Sequence, residues 1–165
     1  MNYLGLSQEQ VASTGKSLNQ LLANYQLYYQ NLRNFHWNVS GENFFDLHEK
    51  FEDLYEDARL KIDEIAERLL TLRLRPLSTT SAYLESAKIE EAGKVLDSHK
   101  MVKIILENHK ILIADMRTII SRAGEVDDEG TIEMIGGFLS EIEKKSWMLD
   151  AWHSSRSKKN FPVEV

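Results

Sequence analysis

The sequence predicts an all-α fold, a bundle of four long helices with one long crossover that carries a short extra helix. Apolar residues recur every three, four or seven positions in four long stretches, which is the spacing of one face of a helix. Gly 8 and Pro 2 are few for 165 residues, and many short strands would need more turn-forming residues. The links between the stretches are short, long and short in turn, so the chain forms two antiparallel helix pairs joined lengthwise.

The first helix is predicted to begin after Ser7 and to end near Ser40-Gly41. Ser7 and Gln10 have the spacing of a capping box, in which each side chain bonds to the main chain of the other. The second helix is predicted from about Asn43 to Leu72, and Pro76 prevents it from continuing. The apolar stripe of the first helix contains Val11, Leu18, Leu21, Leu22, Tyr25, Tyr29, Leu32 and Phe35.

The crossover and the second helix pair complete a single domain over residues 1–165. A short helix at about Ser81–Ser86 is predicted in the crossover. The third helix is predicted from about Asp97 to Ala123, with Gly124 as its C-terminal cap, and the fourth from about Gly130 to Ser154. Residues 1–6 would form a short arm and residues 155–165 a tail. Four helices with one long crossover is the ferritin-like arrangement.

Composition excludes several classes of protein. Cys 0 excludes disulfide scaffolds, thiolate metal sites and cysteine nucleophiles. The net charge of -6 argues against a surface that attracts nucleic acid or acidic membrane everywhere. No apolar run is long enough to cross a bilayer, and the first ten residues carry no lysine or arginine. We therefore expect a soluble cytoplasmic protein without a signal peptide.

A second stripe on the second helix carries possible metal ligands. His48, Glu52, Asp63 and Glu67 share one face, because 4 and 11 residues each come close to whole turns at about 100° per residue. Imidazole and carboxylate groups are suitable ligands for iron and other first-row metals. The alternative interpretation is a solvated polar face, since glutamate-rich helices are common at surfaces.

His48 and Glu52 form one pair and Asp63 and Glu67 another, and the distance between the pairs decides whether one chain can use both to bind a metal ion. Eleven residues from Glu52 to Asp63 span about 16 Å of helix, too far for one ion to bind both pairs. An antiparallel second copy, related by a two-fold axis near Asp57–Ala58, would bring the two pairs together and form two equivalent sites. His36, at the end of the first helix, could add a ligand.

Five residues and their context resemble the Dps family, the DNA-binding proteins from starved cells or mini-ferritins. The pattern is His, twelve on to His, four on to an acid, eleven on to Asp and four on to Glu. The chain also contains the run HWNVSG and the run Asp63-Glu64-Ile65-Ala66-Glu67-Arg68. The pattern corresponds here to His36, His48, Glu52, Asp63 and Glu67.

The resemblance implies a ferroxidase that oxidises Fe(II), preferably with hydrogen peroxide, and stores ferric mineral inside a shell of twelve subunits. It places iron sites at two-fold interfaces, with His36, His48 and Glu52 from one subunit. Asp63 and Glu67 would come from the partner, Glu67 as a bridging ligand. Trp37 corresponds to a family tryptophan near the centre that could intercept oxidising equivalents.

Two departures and one further acidic group bear on this expectation. Position 52 is Glu where the family usually has Asp, and the sequence lacks the Lys-rich N-terminal arm with which many relatives bind DNA. DNA binding is therefore disfavoured. The resemblance also implies an acidic iron-uptake pore at the three-fold axis from Asp127, Asp128 and Glu133, although acids at a helix N-terminus also favour the helix dipole.

Other interpretations stay open at this point. One is a nucleoid protein that binds and compacts DNA with little ferroxidase activity. Another is a helical oligomer with inactive centres that binds zinc. His99 and His109 are expected at the surface, because neither has a partner at ligand spacing. Tyr25, Tyr28 and Tyr29 are expected to be core and interface residues and not a radical site.

Overall fold

The computed structural model describes residues 3–154, in which five helices and no strands occur. The helices are α1 (Gln8–Asn38), α2 (Phe44–Thr71), α3 (Thr80–Ser86), α4 (Ser98–Gly124) and α5 (Glu129–Ser154). Helix α1 packs against α2 and α4, α4 packs against α5, and the short α3 lies on α1. The predicted bundle, including the short helix in the crossover, is confirmed. None of the helices within residues 3–154 has the length and apolar character needed to cross a membrane.

The ends of the helices follow the predicted caps, with one exception. The Ser7 hydroxyl accepts a hydrogen bond from the Gln10 amide at 3.2 Å, and the Gln10 side chain accepts one from the Ser7 amide at 2.9 Å. Gly124 is not the cap that the sequence predicted, because it is the last residue of α4 itself. The chain reverses three residues later at Asp127, whose φ is 56°.

Asparagine side chains of α1 hold the crossover against the bundle. The Asn24 Oδ1 atom accepts hydrogen bonds from the amides of Lys88 and Ile89, at 2.7 and 3.0 Å. Its Nδ2 atom donates to the buried carboxylate of Asp115 on α4, at 2.7 Å. A buried asparagine would be costly without partners, so these contacts explain why a polar residue lies in an apolar stripe.

A buried lysine joins the middle of α2 to α5. Lys61 is 4% exposed, and its ammonium group lies 2.5 Å from Asp57 and 2.6 Å from Glu141. Lys145 contacts the other oxygen of Asp57 at 2.7 Å. Burial alone would raise the pKa of Asp57, but hydrogen bonds from Lys145 and Lys61 hold it below its usual value. The carboxylate is therefore ionised at neutral pH and fixes the two helices.

Candidate metal centre

The short link between α1 and α2 brings two histidines face to face. His36 lies in the last turn of α1 and His48 in the second turn of α2, and Gly41 between them has a φ of 90°. This left-handed conformation suits glycine and lets the chain reverse within five residues. The imidazole rings stack with their centroids 3.8 Å apart and their planes 19° apart. The Phe44 ring stacks on the other side of His48, at 4.9 Å.

The main chain fixes the protonation pattern of both rings. The Nδ1 atom of His36 lies 2.7 Å from the carbonyl oxygen of His48, and the Nδ1 atom of His48 lies 2.9 Å from that of His36. A carbonyl oxygen only accepts hydrogen bonds, so each Nδ1 carries the proton. In the neutral form of each ring, Nε2 is therefore the nitrogen with the free lone pair, and it is the atom that can bind a metal ion.

Glu52 completes a three-residue group one turn further along α2. One ligand atom from each of His36, His48 and Glu52 can be chosen so that all three lie within 4.8 Å of one another. Among residues 3–154 this is the one group of three or more acidic or histidine side chains with that property. Two neutral imidazoles and a carboxylate are a suitable donor set for a first-row transition metal.

Tyr55 supports this group and was missed at the level of the sequence. Its ring meets the His36 ring edge-on at 5.3 Å, and its phenol lies close enough to Glu52 for that carboxylate to act on its pKa. Desolvation, followed by the negative charges of Glu52 and Glu56, raises the pKa of Tyr55. The signal was present, because residues three apart on a helix are neighbours and Tyr55 follows Glu52 by three.

The structure does not bring Asp63 and Glu67 to the histidines of their own chain. Both side chains are exposed on α2, and neither belongs to the three-residue group. The helix is continuous from Phe44 to Thr71, so Asp63 lies about 16 Å along its axis from Glu52. A single chain therefore presents two separate sets of candidate ligands along α2, and His36 of α1 joins only the first.

Trp37 lies beside the group but points to the surface. It is 60% exposed, and the Arg33 guanidinium lies 4.8 Å from the centre of its ring. The same guanidinium lies 5.1 Å from the Tyr29 ring. Within the single chain, Trp37 thus belongs to an exposed aromatic surface next to His36.

The three acidic residues predicted at a pore have different surroundings. Asp127 and Glu133 are exposed. Asp128 is 2% exposed, forms an ion pair with Arg68, and accepts hydrogen bonds from the hydroxyl and the amide of Thr131 at 2.6 and 3.2 Å. Its carboxylate thus caps the N-terminus of α5, where it also favours the helix dipole as the alternative interpretation expected, and it is not free to line a pore.

Comparison with known proteins agrees with this architecture. A family model described as a ferritin-like domain matches residues 15–156. The chain is 44% identical over 148 residues to the DNA protection during starvation protein of Porphyromonas gingivalis, covering 90% of this chain and 93% of that protein. The chain belongs to the Dps family.

Solved Dps structures have the same fold over nearly the whole chain. The Dps protein of Vibrio cholerae O1, described as a member of a broad superfamily of ferritin-like diiron-carboxylate proteins, matches with a TM-score of 0.90 and 44% identity. That match covers 92% of this chain and 96% of the other. The Dps protein of Bacillus brevis matches with a TM-score of 0.86 and 38% identity, over 89% and 99% of the two chains.

Proposed function

We propose that the protein is a ferroxidase and iron-storage protein. It would oxidise Fe(II), preferably with hydrogen peroxide, and hold the ferric mineral inside a shell of twelve subunits. The observation that carries the proposal is the half-site of His36, His48 and Glu52, in which both Nδ1 atoms are bound to main-chain carbonyls and Nε2 is the nitrogen left for a metal ion. Ferritin-like diiron-carboxylate relatives support the choice of iron.

A second copy of α2 would complete the half-site. We place it antiparallel to the first, with a two-fold axis between Asp57 and Ala58. Residues at equal distances on either side of this axis then face one another. Glu52 faces Asp63 of the second copy, and His48 faces Glu67. Because the interface is isologous, the same contact forms two complete sites.

Exposed apolar residues on the same face support this arrangement. Phe45 precedes Glu52 by seven residues, and Leu70 follows Asp63 by seven, so both lie about two turns beyond the ligands on the same side of α2. Phe45 is 82% exposed and Leu70 is 60% exposed. The two-fold axis that pairs Glu52 with Asp63 also pairs Phe45 with Leu70, so assembly would bury both side chains.

The charges of the completed site suit two ferrous ions. Three carboxylates, those of Glu52, Asp63 and Glu67, would offset most of the four positive charges, and the two neutral imidazoles would add nitrogen donors. The overall reaction is two Fe(II), one hydrogen peroxide and two protons giving two Fe(III) and two waters. The protein's part is to hold both irons beside each other, so that peroxide accepts two electrons at one place and the one-electron reaction that forms hydroxyl radical is suppressed.

Iron oxidation by peroxide tests the proposed function. Fe(II) is loaded without oxygen, hydrogen peroxide is added, and ferric absorbance and peroxide consumption are recorded. The expected result is fast oxidation with one peroxide consumed per two irons, and loss of the fast phase in the His48→Ala/Asp63→Ala protein. Asp53→Ala is the matched control, because Asp53 is an exposed carboxylate of α2 paired only with Lys50 among the described contacts. A wild-type rate equal to that of the protein-free control would contradict the proposal.

DNA compaction is the second candidate function, because several relatives are named DNA protection during starvation proteins. The charge argues against it, since twelve chains of net charge -6 carry about −72 together and repel phosphate. The predicted tail, residues 155–165, lies outside the described residues. A gel shift at low salt, with intact protein and protein ending at Ser155, distinguishes the two functions. A cytoplasmic location stays a prediction.

A further inference from the structure

A hydrogen-bonded chain of three side chains crosses the core of the bundle. The Tyr28 hydroxyl on α1 lies 2.9 Å from His109 Nε2 on α4, and His109 Nδ1 lies 2.7 Å from the Ser146 hydroxyl on α5. Tyr28 is 3% exposed and His109 is 1% exposed. The expectation that His109 lies at the surface is therefore wrong. It was based on the absence of ligand spacing, which does not reveal partners on other helices.

The direction of each hydrogen bond in this chain is determined. Ser146 donates its single hydroxyl proton to the carbonyl oxygen of Ile142, at 2.6 Å. It must therefore accept from His109, so Nδ1 carries the imidazole proton and Nε2 does not. The Tyr28 hydroxyl consequently donates to Nε2. Burial, followed by the charge of Lys145, lowers the pKa of His109 to about 3, and burial raises the pKa of Tyr28. The resting pair is a neutral phenol and a neutral imidazole.

We propose that Tyr28 and His109 form a one-electron redox site that consumes oxidising equivalents escaping from the metal centre. A phenol is oxidised readily only when its proton leaves with the electron, and His109 Nε2 is placed to accept that proton. The oxidant is of the class of the hydroxyl radical. It takes one electron from Tyr28 and one proton from solvent and becomes water. Tyr28 becomes a neutral tyrosyl radical, and His109 becomes an imidazolium. One Fe(II) would then return the electron and become Fe(III), and the proton would return to the phenolate oxygen.

Aromatic side chains lead from the candidate metal centre to the residue next to Tyr28. The His36 ring lies 5.3 Å from the Tyr55 ring, and the Tyr55 ring lies 6.0 Å from the Tyr29 ring. Tyr29 follows Tyr28 in α1, and the main chain of α1 makes the last step to the redox pair. The metal centre as the source of the oxidant rests on the proposed ferroxidase function, whereas the redox pair itself does not. The proposal agrees with the expectation that Tyr28 is a core residue and revises the expectation that it is not a radical site.

Photo-oxidation of the full-length, iron-free protein tests the pair by itself. A ruthenium tris-bipyridine photosensitiser with persulfate supplies the oxidant, and frozen samples are examined by electron paramagnetic resonance with ¹⁵N-labelled histidine. The expected result is a tyrosyl signal coupled to a histidine nitrogen, reduced at least fivefold in Tyr28→Phe. The matched control is Tyr25→Phe, which removes another fully buried phenol of α1. A signal without histidine coupling, or one unchanged in Tyr28→Phe, would overturn the proposal.

The nitrogen coupling is measured on the wild-type protein, so the test does not depend on the folding of any variant. Repeating the measurement with Fe(II) and hydrogen peroxide separates the two proposals. A coupled signal on photo-oxidation together with absent ferroxidase activity would retain the redox pair and reject the proposed function. Fast iron oxidation without any histidine-coupled tyrosyl signal in either experiment would do the reverse.

Discussion

His36 and His48 each hold the other's imidazole ring through a main-chain carbonyl, although they lie twelve residues apart on different helices. The arrangement needs no third side chain to orient either ring. Because each Nδ1–H is bonded to a carbonyl oxygen, Nε2 is the ring nitrogen left to bind a metal ion. The candidate centre is thus organised by the turn between α1 and α2, before a metal ion or a partner subunit is present.

Removal of the Tyr55 hydroxyl should weaken metal binding. Tyr55→Phe leaves the ring against His36 but removes the hydroxyl that interacts with the Glu52 carboxylate, so this carboxylate is held less firmly beside the histidines. Loss of such a supporting contact typically costs about 10- to 100-fold in metal affinity. We expect at least tenfold weaker Co(II) binding, measured anaerobically by calorimetry. Tyr83→Phe, in α3, is the control. Unchanged Co(II) affinity would mean that Tyr55 does not position Glu52.

The acidic residues around the start of α5 should differ in role, two acting on iron through their charge and one stabilising the subunit. Asp127→Asn/Glu133→Gln should slow iron uptake severalfold at low ionic strength and leave the melting temperature unchanged, because both side chains are exposed. Asp128→Asn should destabilise the subunit by about 3 kcal/mol, because it leaves the Arg68 guanidinium without its buried partner. Stopped-flow absorbance and thermal denaturation measure the two effects. An equal loss of stability in both proteins would contradict the division.

Acid should destabilise the subunit partly through His109. The pKa of His109 is lowered from 6.5 to about 3 in the folded chain by burial, so the unfolded chain binds an extra proton between those values. The resulting stabilisation is present above pH 6.5 and is lost as the pH falls toward 3. Between pH 7 and pH 5 the loss should be about 2 kcal/mol.

His109→Gln keeps a donor and an acceptor but does not titrate, so its stability should fall less over the same range. Urea unfolding at pH 7 and pH 5 measures the difference, with His99→Gln as a control on the same helix. Equal pH dependence in the wild type and His109→Gln would show that His109 is not the group responsible.

Helix periodicity was sufficient to predict the bundle, because each long helix buries a regular apolar stripe. The ends of α1 and α2 were predicted to within a few residues, because Ser7 and Pro76 act locally. Gly124 was wrongly predicted as the cap of α4, since a glycine near the end of a helix can also be its last residue. The role of Asn24 could not be predicted either, because its hydrogen-bond partners are distant in sequence: Lys88, Ile89 and Asp115.

The candidate site was predictable as far as spacing along one helix determines it. His48 and Glu52 are i,i+4 neighbours, and the resemblance placed His36 beside them. Spacing could not predict that each histidine would bond to the main-chain carbonyl of the other, because this depends on the turn at Gly41. The burial of Asp128 and His109 depends on packing between helices, and no local pattern reports it.

Mixed shells test the central claim, that each centre takes ligands from two chains. His48→Ala subunits and Asp63→Ala subunits, each inactive alone, are dissociated, mixed and reassembled, and mixing is confirmed by native mass spectrometry. With equal amounts of the two subunits, half of the two-fold interfaces would contain one of each. Each such interface would hold one intact and one doubly damaged centre, so about a quarter of wild-type activity should be recovered. His48→Ala mixed with Glu52→Ala is the matched control, because both changes damage the same half-site and no centre is restored. Rescue in the first mixture alone is the predicted result. No rescue in confirmed mixed shells, or equal rescue in the control, would contradict a site shared between subunits.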